Sequence, residues 1–105
     1  MKIKNIQMVA FVNGFEELSR KNLPSRLYYA LSCNMKSLSA FIQPYQEAYE
    51  KAKEAGQEEV NALINQEIDA GLQTVPASIL DVLDSGDKFD VLTAAEIEAI
   101  MFMIE

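Results

Sequence analysis

The chain has no histidine, which removes the commonest general base and the commonest neutral metal ligand. Cys33 is its single cysteine, so neither a Cys-His nucleophile pair nor an intramolecular disulfide is available. Its neighbours Tyr29, Leu31 and Met35 mark it as small core filling rather than a reactive thiol. With one thiol and no imidazole, zinc has no ligand set. The glycines, Gly14, Gly56, Gly71 and Gly86, lie too far apart to form a phosphate-cradling loop.

The carboxylates offer more. Asp81, Asp84, Asp87 and Asp90 surround Gly86, and clustered carboxylates bind calcium. Counting Asp81 as the first ligand of an EF-hand loop places Gly86 at the required sixth position. Leu83 and Leu92 then occupy the third and twelfth, where oxygen ligands are needed, so a solvated turn is the better reading. The pairs Glu67 with Asp69 and Glu96 with Glu98 invite an acid-base reading, but residues two apart on a helix point to different sides. We therefore expect no enzyme, no cofactor and no metal.

The tyrosines Tyr28, Tyr29, Tyr45 and Tyr49 lie near Arg26, Lys36 and Lys51, a composition able to stack on nucleic-acid bases. Three of the four fall instead on a regular helical stripe, which favours the core or a helix-helix interface. Charge bears on the same question. Residues 1–53 carry eight basic and four acidic side chains, a net +4, whereas residues 54–105 carry one basic and twelve acidic, a net −11. The C-terminal half would repel phosphates. The two halves can fold against each other and cancel, or their fields can attract other copies or a partner.

These residues need elements to position them. At 105 residues, half of them hydrophobic, the chain reads as one helical domain, 1–105, with enough core to need no staple. Met8, Phe11, Val12, Phe15 and Leu18 recur at steps of three and four, predicting a helix over residues 5–21. Gly14 inside it suggests the close approach of another helix. Leu23-Pro24 punctuates the chain and starts a second helix. Tyr28, Leu31, Met35, Leu38, Ile42, Tyr45, Tyr49 and Ala52 form its stripe, a rod segment of roughly 37 Å at 1.5 Å per residue. Pro44 predicts a kink near residues 40–44 or two helices meeting there.

A third helix is expected over residues 57–74, carrying Val60, Leu63, Ile64, Ile68 and Leu72. Residues 77–83 suit a short helical turn, and Asp84-Ser85-Gly86-Asp87 is a turn signal. Residues 88–92 alternate around Phe89 and Val91 and are expected to pair as a strand with residues 2–4. Thr93-Ala94-Ala95-Glu96 is a capping box that opens a last helix. That helix is apolar on almost every side, which calls for burial in the core or in an interface. The fold class expected is mainly α: a small bundle or long helical hairpin of three to four helices with a minor two-stranded β element.

Several segments together carry a resemblance: Met1-Lys2-Ile3-Lys4-Asn5-Ile6 before an apolar helix; Leu23-Pro24-Ser25-Arg26-Leu27-Tyr28-Tyr29-Ala30-Leu31 with Asn34-Met35-Lys36; Pro44-Tyr45-Gln46-Glu47-Ala48; and the ending from Leu92 to Glu105. The chain resembles a family of small proteins encoded by phages and prophages of Gram-positive bacteria. The family has no established activity, so the resemblance implies a phage or prophage origin and no site residues.

The expected function is a non-enzymatic helical protein-protein interaction protein that self-associates. Its contact residues are expected to be Tyr28, Met35, Tyr45, Tyr49, Met101 and Phe102. One alternative is an acidic inhibitor whose C-terminal half imitates nucleic acid toward a host protein. The other is a nucleic-acid-binding module using Arg20, Lys21, Arg26 and Lys36. The opening segment lacks the long apolar run of a signal peptide or a membrane span, so the expected location is the bacterial cytoplasm, away from any membrane.

Overall fold

The computed structural model describes residues 1–84 and 88–105. Strand β1 (Lys2–Lys4) runs directly into helix α1 (Asn5–Arg20), followed by the long helix α2 (Ser25–Ala55) and the short helix α3 (Gln57–Asn65). Strand β2 (Glu67–Asp69), helix α4 (Ser78–Asp84), helix α5 (Ala94–Ile100) and a 3-10 turn (Met101–Met103) complete the chain. The fold is mainly α with one two-stranded antiparallel element.

Helix α1 is the centre of the packing. Its residues Met8, Phe11 and Leu18 are buried, and α2, α3 and α5 all pack on it. Phe11 meets Phe102 edge-on at 5.5 Å and lies 6.1 Å from Phe15, so two aromatic contacts hold one fully buried ring. From α2, the side chains Leu27, Ala30, Leu31 and Leu38 join this core, and Ile100 and Met103 close it from the C-terminal end.

The buried phase of α2 differs from the stripe expected. Near its start, Leu27, Ala30, Leu31, Asn34 and Leu38 face inward, while Tyr28 is exposed and Met35 half-buried. Beyond Ile42 the expected phase returns, with Tyr45 and Tyr49 half-buried and Ala52 buried. Helix α2 is continuous through Pro44, so the alternative of two helices meeting there does not arise. Ala40 and Pro44 are both exposed, so the hydrogen bond that proline cannot donate is lost on the outer side of the helix. Gly56 ends the helix at φ 122°, a left-handed-side conformation suited to glycine, and its N–H donates to the Ala52 carbonyl at 3.0 Å.

Two expectations fail downstream. The third helix stops at Asn65 rather than running to residue 74, because the start of α1 occupies its end. The Asn5 side chain donates to the Leu63 carbonyl at 2.9 Å, and the Asn5 N–H donates to the Gln66 carbonyl at 2.9 Å. The chain then leaves helical geometry and pairs with β1, in the register Lys2 opposite Asp69, Ile3 opposite Ile68 and Lys4 opposite Glu67. The second strand is therefore residues 67–69 and not residues 88–92. Its acidic-apolar-acidic pattern complements Lys-Ile-Lys residue by residue, and opposite charges across a ladder are favourable.

Residues 88–91 are held elsewhere. Asn22 and Asp90 are joined by two hydrogen bonds, with Asn22 N–H donating to the Asp90 carboxylate at 2.7 Å and Asp90 N–H to the Asn22 carbonyl at 2.9 Å. The Asn22 side chain also donates to the Lys88 carbonyl. This clamps the segment against the α1–α2 connection. The expected turn at residues 84–87 lies largely outside the described residues.

Candidate functional site

The capping box places the site. Thr93 Oγ1 accepts from the Glu96 N–H at 3.1 Å and Glu96 Oε1 accepts from the Thr93 N–H at 2.8 Å, which fixes where α5 begins. Lys21, just past the end of α1, reaches Glu96 at 3.5 Å and the Val91 carbonyl at 3.4 Å. These contacts set α5 beside α1. Burial pushes the Glu96 carboxyl up, but the Thr93 backbone and side-chain hydrogen bonds and the Lys21 ammonium outweigh it and hold the pKa below the usual range.

Between the two helices lies an open groove of about 810 Å³. Small residues form part of its lining, Ala10 and Gly14 from α1 with Ala95 and Ala99 from α5, and Glu17 and Glu98 stand among the polar lining groups. A Cβ placed on Gly14 would lie 3.8 Å from the Ala99 Cβ, an ordinary contact. The close helix approach expected at Gly14 is therefore present, but it leaves room for a methyl group. Ile6, at one end of the groove, is half exposed.

The six residues expected to form a contact surface are distributed over several environments. Tyr45 and Tyr49 stack at 5.9 Å with an interplanar angle of 29°, and the Lys53 ammonium sits 5.4 Å from the Tyr49 ring centre. Burial, with Tyr49 beside it, raises the Tyr45 hydroxyl pKa above its ordinary value. Met35 and Phe102 pack against the core cluster, the latter on Phe11. Tyr28 and Met101 are exposed. Tyr45 with Tyr49 is the one pair of the six brought into ring contact among the described residues.

Other candidates are also placed. Arg20 pairs with Glu16 at 2.5 Å and Glu17 at 4.0 Å, and Lys21 with Glu96, so two of the four cations proposed for phosphates are engaged within the chain. Arg26 and Lys36 are exposed, with no ion-pair partner among the described residues. Glu67 and Asp69 lie on a strand rather than a helix and so share one face, opposite the lysines of β1. Asp69 also meets the N-terminal ammonium at 3.2 Å. Of the aspartate cluster, Asp87 and Gly86 lie outside the described residues. Among the described residues no three acidic or cysteine side chains gather in a metal-holding group. Cys33 is half-buried and free.

Sequence reasoning missed two residues that organise the molecule. Asn34, fully buried, donates to the Gln73 carbonyl at 3.0 Å and to Met103 Sδ at 3.4 Å, and accepts from the Gln73 N–H at 2.6 Å. Val75 then brackets the C-terminus, its N–H on the Met103 carbonyl at 2.8 Å and its carbonyl accepting from the Glu105 N–H at 2.9 Å. Asn34 stands in phase with Leu27, Leu31 and Leu38, and a polar residue on that phase was the available signal. Asn5 is the second.

No helix among the described residues is long and apolar enough to cross a membrane. No known protein family, curated protein or solved structure matches the chain.

Proposed function

We propose that the chain is a non-enzymatic helical interaction protein, of the phage or prophage origin its resemblance implies, and that it acts by protein-protein contact including contact between its own copies. The open groove between α1 and α5 supports this reading best. It is large, mostly apolar in lining and bordered by charged groups, which is the form of a surface that receives a helix. Exposed Tyr28, Tyr29 and Met101 add apolar surface that a partner would cover.

Light scattering on the purified chain from micromolar to several hundred micromolar tests the self-association. The expected mass rises with concentration above the 11.8 kDa of one copy. A mass fixed at 11.8 kDa throughout would remove self-association from the proposal.

A further inference from the structure

The groove has a complement on the same molecule. Along the outer face of α2, Arg26, Tyr29, Cys33 and Lys36 follow steps of three and four, so they share one side of the helix. Tyr29 is 68% exposed, the most exposed aromatic among the described residues. Arg26 and Lys36 flank it in sequence, and no acidic residue occurs between Glu17 and Glu47. This half of α2 therefore offers a large aromatic knob between two cations that have no ion-pair partner among the described residues.

The groove offers the reverse: Ala10, Gly14, Ala95 and Ala99 leave space for a knob, and Glu17 and Glu98 bring negative charge. Glu98 has no ion-pair partner among the described residues, and Glu17 has only the long contact to Arg20 at 4.0 Å. Lys21, the one cation in the lining, is already engaged by Glu96.

We infer that the α1/α5 groove receives the Arg26-Tyr29-Lys36 face of α2 from a second copy of this chain. The inference rests on the self-association proposed above and assigns its two surfaces. Tyr29 enters over the small residues, and Arg26 and Lys36 stand against Glu17 and Glu98. Because donor and acceptor surfaces differ, the contact is heterologous: each copy gives one face and takes another, and assembly continues into a ring or an open chain.

Two variants test this, each checked for native circular dichroism and cooperative melting. Tyr29→Ser removes the knob, and Ala95→Phe, at an exposed position, plugs the groove; Glu98→Lys on the same groove serves if the plug disturbs folding. The wild-type chain is expected to pass beyond dimers as concentration rises. Each variant alone is expected to associate at least tenfold more weakly. An equimolar mixture is expected to form one-to-one dimers and stop, because one intact face meets one intact groove. Variants that assemble like the wild type would overturn the inference and leave self-association standing, with its contact elsewhere. Variants that stay monomeric when mixed would overturn the heterologous arrangement. A monomeric wild type would overturn the self-association itself.

Discussion

Glu96 closes the capping box, pairs with Lys21 and is itself part of the groove's lining, so its charge matters more than that of most surface carboxylates. Its pKa is lowered in the folded chain, so its stabilising contribution is fully present above the ordinary carboxylate range and is lost as pH falls through the lowered value. Glu96→Gln keeps an acceptor for the Thr93 N–H and removes the charge. Thermal melts near neutral pH are expected to show the variant less stable by up to about 1 kcal/mol. The gap should narrow below about pH 5 and close in strong acid, where both side chains are neutral; a gap independent of pH would assign the loss to something other than charge. The capping box itself was legible in the sequence, because Thr93 and Glu96 stand three apart before an apolar run. Lys21 was not, since the pair joins residues far apart in the chain. Asn5 and Asn34 were obscured for a related reason: an asparagine reads as a surface residue until the backbone groups it satisfies, at Leu63 and Gln73, are in place.

Helices α1 and α2 were legible as helices because each buries a periodic face, but the inward phase at the start of α2, set by Leu27, Ala30 and Asn34 rather than Tyr28 and Met35, emerges only from its packing. Residues 57–74 were not. Ile68 and Leu72 keep the spacing of Leu63 and Ile64, but β1 competes for the same backbone and the ladder displaces the last turns of the expected helix. The strand pairing was misread for the same reason, since a three-residue strand is defined by its partner and Lys-Ile-Lys finds its charge complement only at residues 67–69. Glycine effects are settled at this scale too. Gly14 lies within α1 with room for a methyl group, so Gly14→Ala is expected to stabilise the fold by about 0.5–1 kcal/mol through helix propensity. Gly56 has open space around it but sits at φ 122°, so Gly56→Ala is expected to destabilise by about 1–3 kcal/mol through backbone strain alone. Denaturant titrations should therefore rank Gly14→Ala above the wild type and the wild type above Gly56→Ala. The same order for both substitutions relative to the wild type would contradict the conformational account.

The molecule is long for its size, with extents of 49 × 24 × 21 Å, and the 31-residue α2, roughly 46 Å at 1.5 Å per residue, accounts for the long axis. Among the described residues its basic and acidic halves meet in ion pairs at two points, Lys21 with Glu96 and the N-terminus with Asp69, and the net −7 of the chain is uncancelled. Two copies side by side have centres about 25 Å apart, and seven charges on each repel by about 8 kcal/mol in water before screening. At 10 mM salt, with a Debye length near 30 Å, roughly 3–4 kcal/mol of that repulsion survives; at 150 mM, with a length near 8 Å, less than about 0.5 kcal/mol does. The attraction of Arg26 and Lys36 for Glu17 and Glu98 works the other way, but two exposed pairs contribute at most about 1 kcal/mol each. Long-range repulsion therefore sets the sign, while the local pairs set register. Sedimentation equilibrium is expected to show self-association tightening on the order of a hundredfold between 10 and 150 mM salt, since about 1.4 kcal/mol is a factor of ten. An acidic chain acting as a nucleic-acid mimic predicts the opposite slope toward its target, because attraction to a basic partner weakens as salt rises. Self-association that weakens over this range would mean that the pairs of Arg26 and Lys36 with Glu17 and Glu98 outweigh the net repulsion, and would overturn the assignment of the sign to net charge.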